Sequence, residues 1–90
     1  MNIESIKKQT ENYYVSEGKE DHFKDRIEKF KQDIVSDFSK FKNSHPDKTF
    51  DDFKSKAIEE IRSGFAENYP LLSAGIFLKA LELITPSELI

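Results

Sequence analysis

Apolar residues recur along nearly the whole chain with the spacing of α-helices. Ile3, Ile6, Thr10, Tyr13 and Tyr14 keep a three-to-four-residue rhythm and predict a first helix over about 2–15. Ser16-Glu17-Gly18 ends it, with Gly18 placed for the left-handed residue that closes many helices. Phe23, Ile27, Phe30, Ile34, Phe38 and Phe41 then step by 4, 3, 4, 4 and 3, a mean of 3.6 residues. Every residue between them is polar or charged except Val35, so a strongly amphipathic helix is predicted over about 19–42. Asn43-Ser44-His45-Pro46-Asp47 reads as a turn, since Pro46 biases His45 away from helical angles.

A third helix is predicted over about 49–68. Thr49 with Asp52 three residues on has the form of a capping box, and Phe50, Phe53, Ala57, Ile61 and Phe65 line one face. Gly64 is a weak point in that helix, and Asn68-Tyr69-Pro70 ends it. The stretch predicted as a fourth helix, about 70–84, differs in kind, because ten of the fourteen residues 71–84 are apolar. A helix apolar on nearly all sides is surrounded by others, which makes this one the centre. Thr85-Pro86-Ser87-Glu88 combines a capping pattern with Pro at a first helical position and predicts a short C-terminal turn. With no repeat and no linker in its 90 residues, the chain reads as a single all-α domain spanning 1–90. The architecture expected is a compact bundle or orthogonal array of four helices.

Composition removes several kinds of chemistry. Hydrophobic residues at 37% suffice for a core, and the absence of cysteine excludes disulfides, thiolate metal sites and a cysteine nucleophile. The residues 1–18, 19–45, 46–70 and 71–90 carry −1, +1, −2 and −1, for a net charge of −3. No stretch concentrates the positive charge that a phosphate backbone requires, so no nucleic-acid partner is expected. The apolar C-terminal stretch is too short and interrupted to span a bilayer, and Met1 to Gln9 lack a signal peptide's apolar core. A cytoplasmic protein without a membrane partner is the expectation.

Catalytic constellations are missing from the pattern as well. Gly18, Gly64 and Gly75 are scattered rather than gathered in a phosphate loop, and no Glu is followed three residues later by His. Pairs such as Asp51-Asp52 and Glu59-Glu60 fall on the polar sides of amphipathic helices, where carboxylates are ordinarily solvated. His22 between Asp21 and Asp25 is too sparse a set for a metal site. The expectation is a non-enzymatic protein with no cofactor and no metal.

His45-Pro46-Asp47, followed by Lys48 and joining two predicted helices, resembles the loop of J-domains, the co-chaperones that stimulate the Hsp70 ATPase. Asn12-Tyr13-Tyr14 resembles the aromatic pair that opens many of them. The resemblance spans about Asn12 to Tyr69 and rests on these positions; it implies a co-chaperone acting through His45, Pro46 and Asp47. The chain departs from the family elsewhere. Asp37-Phe38-Ser39-Lys40-Phe41 stands where J-domains carry a basic Tyr-Arg-x-Leu-Ala-like segment, and the third helix lacks their Ala-Tyr pair.

Eight Phe and three Tyr make the chain rich in aromatics. A small bundle is expected to bury most of Phe23, Phe30, Phe38, Phe41, Phe50, Phe53, Phe65 and Phe77. Tyr14 and Val15, which follow Tyr13, and Val35, Leu71, Leu72, Leu89 and Ile90 add apolar surface beyond single stripes. Either they too pack internally, or the first helix, the fourth helix and the C-terminus form an interface, with Tyr13, Tyr14, Val35, Leu89 and Ile90 as its residues. The leading functional expectation is therefore an adaptor, regulator or inhibitor that binds another protein, or a second copy of itself. Alongside it stand the J-domain-like co-chaperone and a small-ligand binder drawing on Tyr13, Tyr14, Arg62 and nearby lysines.

Overall fold

The computed structural model describes residues 2–63 and 71–89. They form α1 (Ile3–Ser16), α2 (Glu20–Ser44), α3 (Phe50–Arg62) and α4 (Leu71–Leu83), followed by a 3-10 turn at Pro86–Leu89. Four helices and a C-terminal turn are what the apolar spacing predicts, with ends shifted by two residues or fewer except that α3 closes at Arg62, capped by Ser63, six residues before the predicted end at 68. Gly64, Phe65 and Asn68-Tyr69-Pro70, which bear on the end of the third helix, lie outside the described residues, as does Ile90.

Local chemistry sets the helix ends. Asn2 opens α1, its side-chain oxygen accepting from the amides of Glu4 at 2.8 Å and Ser5 at 3.4 Å. At the other end the Gly18 amide donates to the Val15 carbonyl at 3.1 Å and the Lys19 amide to the Tyr14 carbonyl at 2.8 Å. This paired closure needs a left-handed residue, and Gly18 supplies it with φ +67°. A Cβ at Gly18 would meet nothing within 4 Å, so substitution there is a purely conformational test. Gly18→Ala is expected to cost about 1–2 kcal/mol, the penalty of a left-handed L-residue. Urea denaturation checks this, and an unchanged midpoint would mean that the turn tolerates another backbone shape.

The Thr49 and Asp52 box forms at the start of α3. The Thr49 amide donates to the Asp52 carboxylate at 2.9 Å, and the Asp52 amide returns a bond to the Thr49 hydroxyl at 3.3 Å. The Thr49 amide, then its hydroxyl, hold the Asp52 carboxyl below the usual carboxylate range.

α4 occupies the centre and meets each of the other three helices. Its Ile76, Ala80 and Leu81 pack with Tyr14, Phe23, Ile27 and Ile34 from α1 and α2. Its Ala74 and Leu78 pack with Ile6 and Ile61 from α1 and α3. At Gly75 the approach of α1 is closest, because a Cβ there would stand 2.5 Å from the Thr10 Cβ and nearer still to its hydroxyl. Thr10 is fully buried, and its hydroxyl is satisfied by donating to the Ile6 carbonyl at 2.9 Å.

The expectation that the bundle buries most of its phenylalanines does not hold. Only Phe23 is buried among those described; Phe30, Phe38, Phe41, Phe50, Phe53 and Phe77 are half-buried. Helix length is the reason. With 25 residues α2 runs about 37 Å, whereas α1 and α4, with 14 and 13, reach about 20 Å. The molecule is correspondingly long and thin, 42 × 28 × 17 Å, and among the described residues the far end of α2 meets the rings of α3, which leave it half-buried. There Phe38 meets Phe50 edge-on at 5.2 Å and Phe41 meets Phe53 at 5.4 Å, an aromatic patch that joins the main core through Phe50 and Phe53.

Two ion pairs tie elements together. Lys7 on α1 reaches Glu4 at 2.9 Å and Glu82 on α4 at 3.1 Å. The bond to Glu4, then that to Glu82, raises the Lys7 ammonium, and Lys7 in turn lowers the Glu82 carboxyl. Lys31 on α2 reaches Glu88 in the 3-10 turn at 3.2 Å and Glu28 at 3.5 Å. Desolvation pulls the Lys31 ammonium down, but its two carboxylate partners outweigh this and leave it raised. Among the described residues the within-helix pairs are i,i+3, Glu4 with Lys7, Glu28 with Lys31 and Glu59 with Arg62.

Candidate functional site

The stripes of α2 and α3 are only partly covered, and the uncovered parts face one another across a cleft of about 450 Å³. The α2 wall comprises Phe30, Ile34 and Phe41, with Asp33 and Asp37 beside them. The α3 wall comprises Phe53, Ala57 and Ile61, with Lys56 and Glu60 beside them. Ser73, Ala74 and Phe77 of α4 close the third side. Helical geometry produces this composition directly. Positions 30, 34, 37 and 41 of α2, and 53, 56, 57, 60 and 61 of α3, each fall on one face at i, i+3, i+4 and i+7 spacing.

Ile34 and Ile61 are buried and join the cleft to the core, whereas Asp33, Asp37, Lys56 and Glu60 are exposed. The centre is therefore apolar and the rim charged, the anatomy of a protein-docking surface. Small-ligand sites differ in having polar groups held in place deep within them. Lys56 stands 5.9 Å from the centre of the Phe41 ring, close enough for a cation–π contact at one end.

Compared with known protein families, with curated proteins and with solved structures, the chain matches none. What it can do rests on its own geometry.

The residues singled out from the sequence are distributed over the molecule. Tyr13 is 39% exposed on α1, but Tyr14, expected beside it at an interface, is 5% exposed and stacks on Phe23 at 4.9 Å. Tyr14 is thus a core residue, drawn inward because α1 turns that face towards α2. Val35 and Leu89 are half-buried, and neither borders the cleft. Tyr13, Tyr14 and Arg62, grouped for a small ligand, do not border the cleft, and Arg62 reaches Glu59 at 3.9 Å.

His45, Pro46 and Asp47 are exposed in the connection between α2 and α3. The His45 ring lies 4.9 Å from the Phe41 ring, the Lys48 amide donates to the His45 carbonyl at 3.0 Å, and the Lys42 ammonium donates to the Lys48 carbonyl. These bonds account for the turn as a helix connector. Beyond it α2 packs mainly on α4 rather than on α3. No group of three His, Asp or Glu side chains converges as a metal site among the described residues, and no helix among them is long and apolar enough to cross a membrane.

The cleft is not legible in the stripe pattern, which predicts a core position for Phe30, Phe41, Phe53 and Phe77 and an ordinary solvated carboxylate at Glu60. The available signal was the mismatch in length between the α2 stripe and its neighbours.

Proposed function

We propose that this chain is a non-catalytic protein-binding module whose docking surface is the cleft between α2, α3 and α4. The observation that carries the reading is an apolar cleft with half-buried Phe30, Phe41, Phe53 and Phe77 in it and charge only at its rim. Aromatic side chains around a partly covered centre are the usual anchors of protein recognition. A partner seated there would cover phenyl surface that the fold itself leaves open, which favours association through the hydrophobic effect. In such a complex the chain acts by occupying a partner's surface, as an adaptor, regulator or inhibitor does.

Affinity capture from the native host, run in parallel with three versions of the protein, tests the reading. Wild type and Tyr13→Ala, altered outside the cleft, are expected to retain the same stoichiometric partner, and Phe53→Ala to lose most of it. Loss with Tyr13→Ala and retention with Phe53→Ala would move the docking surface to α1. Retention by all three would remove both surfaces from consideration.

A further inference from the structure

Asp33 and Asp37 stand one helical turn apart on the edge of α2 that borders the cleft, and Glu60 borders it on α3. None of the three has a cation within ion-pairing distance among the described residues. Like charges at i,i+4 on one helix face repel each other, so this arrangement is mildly unfavourable for the isolated fold. The cation among the described lining residues, Lys56, lies over Phe41 at one end.

On the protein-binding reading above, we infer that the cleft receives a basic amphipathic α-helix. Its apolar stripe lies along Phe30, Phe41, Phe53 and Phe77, and its flanking Lys and Arg side chains meet Asp33, Asp37 and Glu60. From Phe30 to Phe41 the α2 wall is about 16 Å long, the reach of three helical turns. That length matches apolar anchors at i, i+4, i+7 and i+11, the pattern of a helix laid in a groove. The charge pattern selects against other occupants. A nucleic acid would bring phosphates to a rim with three carboxylates and one ammonium. A second copy of this chain carries a net −3 and has no strongly basic stretch to offer. Charge complementarity at a rim chiefly sets partner choice and encounter rate, which makes specificity the quantity to measure.

The test uses the full chain and two labelled synthetic helical peptides of about four turns. They share one Leu and Phe stripe and differ only in carrying Lys or Glu at the flanking positions. Fluorescence anisotropy at low salt is expected to show the Lys peptide binding at least about tenfold tighter, roughly 1.4 kcal/mol. The gap should narrow as salt screens the rim. The triple variant Asp33→Lys, Asp37→Lys, Glu60→Lys is expected to invert the preference, an outcome that a misfolded protein cannot give. Equal binding of both peptides to both proteins would overturn the basic specificity while leaving a helix-binding cleft. Binding of neither peptide would overturn the helix inference itself. Failure of the wider protein-binding reading is told apart by the capture experiment, in which wild type would then hold no stoichiometric partner, whereas a partner kept by Phe53→Ala would place binding outside the cleft and overturn the inference. Sedimentation showing reversible dimers that Phe53→Ala abolishes would assign the cleft to a second copy and overturn the inference as well.

Discussion

Replacing Gly75 by Ala is expected to lower the melting temperature by about 10–20 °C. A Cβ at that position would sit 2.5 Å from the Thr10 Cβ and 3.0 Å from its Cγ2, against a side chain that is fully buried. Neither helix can rotate the clash away, because α1 and α4 are also held by Ile6, Ala74, Leu78 and the Lys7 to Glu82 ion pair. Overpacking of this kind costs about 1–3 kcal/mol or more, a large share of the stability of a small domain. The identity of the opposing residue supplies a sharp control. Thr10→Ala in the Gly75→Ala background removes the hydroxyl and Cγ2 overlaps but leaves the Cβ in place, and should rescue only part of the loss. Thr10→Gly removes it and should recover most of the loss, less about 1 kcal/mol for glycine inside a helix. Thermal melts of the four proteins decide the matter. A Gly75→Ala protein as stable as wild type would mean that α1 and α4 lie further apart than described here.

Ile34→Ala is expected to destabilise by about 3–4 kcal/mol, towards the upper part of the range for buried aliphatic truncation. Phe53→Ala, although it removes a larger side chain, is expected to cost only on the order of 1–2 kcal/mol, because its ring is already partly in water. Ile34 is 1% exposed and touches the core on one side and the cleft on the other. The ranking inverts the order that side-chain size alone would give, and denaturant titration of the two variants measures it. A Phe53→Ala loss equal to that of Ile34→Ala would show that the phenyl ring is covered in the free protein. The docking surface proposed for the cleft would then be closed.

The spacing of apolar residues made most of the fold legible. The 3.6-residue period of Phe23 to Phe41 produced α2, the all-round apolarity of 71–84 placed α4 at the centre, and Gly18 and the Thr49-Asp52 pair marked helix ends that the structure forms. Two features lay beyond that method for physical reasons. A stripe identifies which face is apolar but not what covers it, so the half-buried state of Phe41 and Phe53 depended on how far α2 outruns its neighbours. The contact of Gly75 with Thr10 joins residues from opposite ends of the chain, and no local pattern encodes such a meeting. The candidate site was the less legible part for the same reason. Asp33, Asp37 and Glu60 look like any solvated carboxylates until two separate helices bring them to one rim.

The pairing of the first helix with the fourth also dictates an order of events in folding. Thr10 and Gly75 are separated by 65 positions, so α1 has its principal neighbour at the far side of the chain. Closing a loop of that length costs about 4 kcal/mol of chain entropy before any α1–α4 contact is gained. During synthesis α1 therefore leaves the ribosome long before the surface that will bury Ile6 and Thr10 exists. Until α4 has emerged, α1 has only its Tyr14 end to pack on Phe23 of α2, and the face that carries Ile6 and Thr10 waits uncovered.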